Sequence, residues 1–171
     1  ALADLEIETE MATLMMTRVS GAFDRAPLDE HEALVKRILT PVAKYWVSKR
    51  CSEVVREAIE CLGGNGYVED SIMPRLYRES PVNAIWEGSG NVIALDLVRA
   101  MAREPGSVDA LQKELEAAKG ADRRLDLAID SALEAASDTI TTAASWPWKR
   151  STVPIRAPAG RRSLSRCTRA L

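Results

Sequence analysis

The composition and the spacing of the apolar residues predict an all-α fold. Alanine, the strongest helix former, is the most abundant residue of the 171. Only 5% of the residues are aromatic and one is phenylalanine, which disfavours a sheet. Apolar residues recur three or four positions apart along most of the chain, which is the spacing of one helix face.

Two helices are predicted in the first third of the chain. Apolar residues over 1–20, including Met11, form one face that we expect to be buried. No N-cap precedes this face, so we expect the chain to start inside a helix. Asp29 is placed to cap a second helix of about 30 residues, or about 45 Å, which should end at Gly63 and Gly64. Its predicted buried line is Leu34, Ile38, Val42, Trp46, Val54, Ile59 and Leu62.

Five of the nine glycines lie between positions 63 and 90. We therefore predict a long irregular connection there, with one helical turn around Arg75–Glu79. Loops of this length inside a domain are usually functional, and glycine lets a ligand approach the backbone closely. The chemistry of the protein is expected in this segment.

Three more helices are predicted after the glycine-rich segment. One begins near Ser89–Asn91 and stops at Pro105–Gly106, and two others cover 107–118 and 121–140. After Ser145 the sequence is rich in Pro, Ser and Arg and has no apolar period. We divide the chain into 1–104, a helical bundle; 105–140, additional helices; and 141–171, an irregular tail.

The formal net charge of −2 conceals two regions of opposite charge. Residues 1–140 hold all 25 acidic side chains and 16 basic ones, whereas 141–171 holds seven basic side chains and no acidic one. The first region is therefore not a basic nucleic-acid-binding module. The tail could contact phosphates, although its composition is also that of a GC-rich gene read in a shifted frame.

Several classes of protein are disfavoured by the composition. No run of about 18 apolar residues is present, so we expect no membrane span and a cytoplasmic location. Three cysteines without CxxC spacing and a single histidine, His31, argue against a disulfide framework, a zinc site or a Ser-His-Asp triad. His31 is expected to be a solvated residue in the first turn of its helix.

Glu87 is the candidate catalytic residue. It lies between Trp86 and Gly88, and a carboxylate among large apolar groups is harder to ionise, which suits a general base. A helix that starts near Ser89 would offer free N–H groups to an anion or a polarised oxygen. The alternative is a plain carboxylate favoured by the helix dipole.

Three segments in this order carry a resemblance to a known family: LGGNGY at 62–67, PRLYRE at 74–79 and IWEGSGN at 85–91. They resemble the C-terminal helical domain of the acyl-CoA dehydrogenases, which are FAD flavoproteins. The lysine, glycine, arginine and two aspartates of 119–126 extend the resemblance toward the adaptive-response (AidB-like) branch. It covers about residues 1–140 and implies a truncated up-and-down helical bundle with extra C-terminal helices.

The resemblance implies a role for each residue around Glu87. Glu87 would remove the α-proton of an acyl-CoA thioester, and its backbone N–H would hold the thioester carbonyl. Gly88 would line the acyl-CoA pocket. Ser89 and Asn91 match the Thr and Gln that contact FAD in the family.

The resemblance also implies a second set of cofactor contacts and an oligomer. Gly63 and Gly64 match a pair whose backbone approaches the FAD of a neighbouring subunit, so a homo-oligomer, dimer or tetramer, is expected. Glu60 replaces a Gln of the family's motif, which removes a donor and adds a charge near phosphates. Arg75 and Arg78 could neutralise phosphate or simply pair with Glu69, Asp70 or Glu79 at the surface.

Two functions follow from the resemblance. The first is α,β-desaturation of acyl-CoA by a flavin-dependent dehydrogenase of which this chain is one part. Because the β-rich domain that holds the flavin ring in the family has no counterpart in the sequence, we expect the chain to be inactive alone. The alternative is an AidB-like flavoprotein that binds DNA and protects it from alkylation. Acyl-chain length and the electron acceptor are not identified.

Overall fold

The computed structural model describes residues 1–104 and 106–145, with side chains placed through Thr139. All regular structure in these residues is helical, which confirms the predicted all-α fold. A 3₁₀ helix covers Ser80–Ala84. The α-helices are α1 Leu2–Arg25, α2 Glu30–Leu62, α3 Gly64–Tyr67, α4 Met73–Glu79, α5 Gly90–Arg103, α6 Gly106–Glu116 and α7 Arg123–Ser145.

Helix α2 is the central element, and the residues that limit it were predicted from the sequence. Asp29 accepts a hydrogen bond from the N–H of His31 at 2.9 Å, which satisfies a free donor of the first turn. At the other end, Gly63 has φ +58°, a backbone conformation that favours glycine. The 33 residues between them make contacts with α1, α3, α4, α5, α6 and the 3₁₀ helix.

Helices α1 and α5 both run antiparallel to α2. Glu8, near the start of α1, pairs with Arg50, far along α2, while Arg18 pairs with Glu32 near the α2 start. At the start of α5, Gly90 lies against Lys49, whereas Asp96 in the middle of α5 pairs with Arg37, which comes earlier on α2. This up-and-down arrangement has a small core of mostly short side chains. Its buried apolar residues are Val19, Ala22, Val35, Ile38, Ala43, Ile93, Ala100, Met101, Ala110 and Ile129.

The predicted apolar face of α1 is buried only at Val19, and the predicted burial of Met11 is wrong. Val19 and Ala22 are buried, but Leu2, Met11 and Leu14 are 74%, 49% and 63% exposed. Full burial on α1 is confined to its C-terminal half, at Val19 and Ala22, whereas the N-terminal half contacts α2 through half-buried residues such as Glu8. On α2, Ile38 is the one buried residue of the predicted line, and Leu62 is 51% exposed at the helix end. The other five residues of that line are half-buried.

The predicted irregular connection is shorter than expected. Residues 63–84 fold into α3, α4 and the 3₁₀ helix, leaving two short turns at 68–72 and 85–89. Pro74 and Pro81 lie in the first turns of α4 and the 3₁₀ helix, where proline favours a helix start. The two prolines, which from the sequence alone predict an irregular connection, instead mark the starts of two short helices.

The predicted irregular tail overlaps the end of α7. Helix α7 runs through Ser145, and the remainder of the predicted tail, 146–171, lies outside the described residues. In the described part of the chain, no helix has the length and hydropathy needed to cross a membrane. The cytoplasmic location stays a prediction.

A network of ion pairs connects α1, α2 and α6. The Arg18 guanidinium donates to Glu32 at 2.8 Å and to Glu114 at 2.8 Å, and Arg25 lies 3.1 Å from Glu32. His31, predicted to be solvated, has its Nε2 3.2 Å from the Glu114 carboxylate. The hydrogen bond from Arg18 lowers the pKa of Glu114 to about 2, and Arg18 likewise lowers the pKa of Glu32.

We predict that Glu114 stabilises α6 against the bundle in a pH-dependent way. Because its folded pKa of about 2 lies below the ordinary 4.5, its contribution is complete above about pH 5 and is lost as the pH falls toward 2. Glu114→Gln should lower the free energy of unfolding by about 1–2 kcal/mol at pH 7 and by much less at pH 2.5. Urea titrations followed by far-UV circular dichroism at the two pH values measure this.

Glu134→Gln is the matched control for that prediction. Glu134 is an exposed residue of α7, so its loss should change the free energy of unfolding by no more than about 0.5 kcal/mol. Equal effects of the two substitutions, or an effect of Glu114→Gln that does not depend on pH, would contradict the role of the network.

Candidate functional site

The turn that carries Glu87 has an unusual backbone. Glu87 has φ +54°, and in the described residues it is the only non-glycine residue with a positive φ. Gly88 follows with φ +119°. Two successive residues of this kind reverse the chain between the 3₁₀ helix and α5. Positive φ values in non-glycine residues are uncommon and are concentrated at functional sites.

Contacts from α2 and α5 hold this turn. The Lys44 ammonium donates to the carbonyl oxygens of Asn83 at 2.6 Å and Trp86 at 3.1 Å. Gly88 lies so close to α5 that a Cβ there would be 3.3 Å from Ile93 Cγ1. Lys44 was missed by the sequence reasoning, because it lies on another helix and belongs to none of the motifs.

Glu87 and Gly88 line a groove of about 500 Å³ between α2 and α5. The cationic side chains of this groove outnumber the acidic ones. Arg37 is paired with Asp96 at 3.0 and 3.1 Å, and that hydrogen bonding raises the pKa of Arg37. The other charged residues of the lining are Lys36, Lys44 and Arg99 beside Glu87 itself. The groove therefore suits a ligand with anionic groups.

The apolar surroundings expected for Glu87 are not formed by this chain. The neighbouring side chains Ile85 and Trp86 are 65% and 57% exposed, and Glu87 is exposed as well. Within the described residues, the N–H groups of Glu87 and Gly88 have no hydrogen-bond acceptor. The turn thus presents a carboxylate and two free backbone donors together.

Ser89 and Asn91 follow Glu87 at the start of α5, but they do not line the same groove. With Gly90 they line a second hollow of about 220 Å³, against Tyr45 and Lys49 of α2. Ser89 is the N-cap residue and makes no side-chain capping bond, so the N–H groups of the first turn remain available. Gly90 fits because a Cβ there would lie 3.1 Å from Tyr45 Cε2.

Glu60, Gly63 and Gly64 lie at the C-terminal end of α2, whereas the Glu87 turn lies against its middle. Gly63 is 18 positions beyond Tyr45, which corresponds to about 27 Å along a helix. A Cβ at Gly63 or Gly64 would meet nothing within 4 Å, so a ligand can reach their backbone. The Glu60 carboxylate is 2.5 Å from the Arg56 guanidinium. One chain therefore does not bring these residues together with Glu87.

The two arginines of the PRLYRE segment form surface ion pairs. Arg75 donates to Glu79 at 2.9 Å, and Arg78 donates to Glu69 at 2.7 and 3.1 Å. All four side chains are more than half exposed. Of the two expectations for Arg75 and Arg78, phosphate binding or surface ion pairing, the described residues show the ion pairs.

The fold and the arrangement of these segments define a domain of the acyl-CoA dehydrogenases. Residues 1–102 match the acyl-CoA dehydrogenase C-terminal domain. The chain belongs to this family.

Curated relatives give the same assignment. AidB of Escherichia coli K12, described as a putative acyl-CoA dehydrogenase, is 44% identical over 128 residues, which are 75% of this chain and 24% of that protein. Acyl-CoA dehydrogenase family member 11 of Caenorhabditis elegans is 32% identical over 142 residues, 81% of this chain and 23% of that protein. The chain thus spans about a quarter of the length of these relatives.

A solved structure is similar as well. The structure titled Bd2924 apo-form has a TM-score of 0.65 and 27% sequence identity to this chain. The similarity covers 84% of this chain and 31% of that one. The helical arrangement described above is therefore also found in an experimentally determined protein.

We predict that Gly88 is required by the conformation of the turn. At φ +119° a side chain is strained, and the Cβ would also press on Ile93, so Gly88→Ala should destabilise the fold by about 1–3 kcal/mol. Gly64→Ala is the control, because Gly64 has open space around it. Thermal unfolding of both variants checks this, and equal melting temperatures would contradict it.

Proposed function

We propose that the chain supplies the catalytic base of a flavin-dependent acyl-CoA dehydrogenase, with Glu87 as that base. The observation that carries the proposal is the turn itself. It places the Glu87 carboxylate and the free N–H groups of Glu87 and Gly88 at a groove of about 500 Å³. This is the combination that removal of a proton next to a carbonyl requires, a base and an oxyanion donor.

Each residue of the Glu87 turn has a separate role in removal of the α-proton. The N–H of Glu87 donates to the thioester carbonyl, which makes the α-proton more acidic. The Glu87 carboxylate takes that α-proton, and Gly88 leaves room for the acyl chain against the backbone. When bound, FAD would supply the acceptor for the β-hydrogen, which leaves as hydride. The cationic groove residues favour the phosphates of CoA.

The described residues fit an FAD group in two places. Near Glu87, the start of α5 offers free N–H groups together with the exposed side chains of Ser89 and Asn91, which suits the hydroxyl and phosphate oxygens of the cofactor. At the far end of α2, the open backbone of Gly63 and Gly64 would contact the FAD of a neighbouring subunit.

A homo-oligomer, dimer or tetramer, follows from this assignment of the cofactor contacts. Its support is the separation of about 27 Å along α2 between the two sets of residues. The glycine turn is also bordered by exposed apolar side chains, since Tyr67 and Ile72 are 79% and 59% exposed. Such surfaces commonly mark protein interfaces.

DNA protection is not favoured by any described residue. The basic side chains that suggested DNA binding lie at 149–169, outside the described residues. Residues 1–140 carry a net negative charge. The acyl-CoA function is therefore the one that the site supports.

We predict that Glu87→Gln abolishes flavin reduction without loss of the flavin. The test protein is a chimera in which the matching 128 residues of this chain replace their counterpart in the E. coli relative. The chimera should retain FAD absorbance and be bleached by at least one member of a series of acyl-CoA thioesters that differ in chain length and branching. Loss of the general base should slow bleaching by about 10²–10⁴-fold, as followed by stopped-flow absorbance.

Two comparisons complete that experiment. The 171-residue chain by itself should show no flavin spectrum and no acyl-CoA-dependent bleaching, because the match covers only about a quarter of the length of the relative. A chimera that holds FAD but is reduced equally well with Gln at position 87 would show that Glu87 is not the base.

We also predict that Glu60 weakens the cofactor contact made by the glycine turn. Glu60→Gln in the chimera should raise FAD affinity by about two- to fivefold, because a negative charge near the FAD phosphates is removed. The effect should be small, since the Arg56 guanidinium already offsets part of that charge. Glu53→Gln, which removes another exposed partner of Arg56, is the control. Apo-chimera titrated with FAD gives the dissociation constants, and equal values for both variants would contradict the prediction.

A further inference from the structure

We propose that Lys44 is a positioning residue that holds and polarises the Trp86–Glu87 peptide. The inference rests on the proposed function, since the N–H of that peptide is the one assigned to the thioester carbonyl. The observation is a pair of hydrogen bonds. The Lys44 ammonium donates to the oxygen of Asn83 at 2.6 Å and to the oxygen of Trp86 at 3.1 Å.

These two bonds connect both ends of the segment that leads into Glu87. The segment is otherwise held by backbone bonds to a single acceptor, because the N–H groups of Ile85 and Trp86 both donate to the oxygen of Val82. Glu87 then takes the left-handed conformation, which an L side chain adopts only at a cost in energy. Contacts from outside the turn must offset that cost, and the bonds from Lys44 are such contacts.

Lys44 is also the side chain best placed to affect the Glu87 N–H. Carbonyl oxygen and amide N–H of one peptide are conjugated, so a cation on the Trp86 oxygen draws electron density from the Glu87 nitrogen and makes its N–H a stronger donor. The hydrogen bond is charge-assisted and therefore stronger than a neutral one.

No other side chain among the described residues donates to the backbone between Asn83 and Gly88. The neighbouring cations of α2 have other contacts, since Lys36 lies 5.3 Å from the Phe23 ring centroid and Arg37 is paired with Asp96. Lys44 lies 43 positions before Glu87 in the sequence, so only the antiparallel packing of α2 and α5 brings the two together.

The test uses the ¹⁵N-labelled 171-residue chain without flavin or acyl-CoA, so its result does not depend on whether dehydrogenation occurs. In Lys44→Met the Glu87 amide proton should move upfield. The amides of Ile85 and Trp86 should exchange with solvent about tenfold faster, equivalent to about 1.4 kcal/mol. Lys44→Arg, which keeps a cationic donor, should restore the amide shift and bring exchange within about threefold of the unchanged chain.

Two comparisons separate a local role from a general loss of stability. Lys113→Met removes an exposed cation of α6 and should leave the Glu87 amide unchanged. Amides of α6 should exchange equally in the unchanged chain and in the Lys44 variants. If Lys44→Met does not fold, Lys44→Gln replaces it. An unchanged Glu87 amide, an increase in exchange spread over the whole chain, or failure of Lys44→Arg to restore the signal would each overturn the proposal.

Discussion

The packing of other helices along α2 is the constraint on which the rest of the structure depends. Helix α2 contacts α1, α3, α4, α5, α6 and the 3₁₀ helix, and its ends are limited by the Asp29 cap and the positive φ of Gly63. Because α5 lies antiparallel on it, the turn before α5 meets the middle of α2. The strained Glu87 conformation and the groove beside it therefore exist only while α2 and α5 remain packed.

Ion pairs between the helices, rather than a large apolar core, provide much of the stabilisation of this packing. Among the described residues, the buried apolar side chains are few and mostly small, whereas Arg18 alone connects α1 with Glu32 and Glu114 on two other helices. Partly buried, bidentate arginine pairs of this kind contribute more than exposed pairs, and removing one partner leaves the other uncompensated. The bundle should accordingly be more sensitive to acid than a helical domain with a deeper core.

What the sequence could predict depended on whether the signal was local. The Asp29 cap, the stop at Gly63 and the start of α5 at Ser89 follow from preferences of single residues, so they were predicted correctly. The burial of Met11 was predicted wrongly because an apolar period does not tell whether a partner covers that face. Lys44 could not be found at all, since its contact with Trp86 is created by tertiary packing across 42 positions.

The exposed surfaces of the chain are easier to understand if the cofactor contacts are shared between subunits. Ser89 and Asn91 lie near the middle of α2, and Gly63 and Gly64 lie at its end, about 27 Å away along the helix. Since α2 is continuous between these points, no bending within one chain can close that separation. If both sets contact FAD as proposed, this separation agrees with contacts to the FAD groups of two subunits, and the exposed Tyr67 and Ile72 border the second set. Oligomerisation would then be a condition for a complete site.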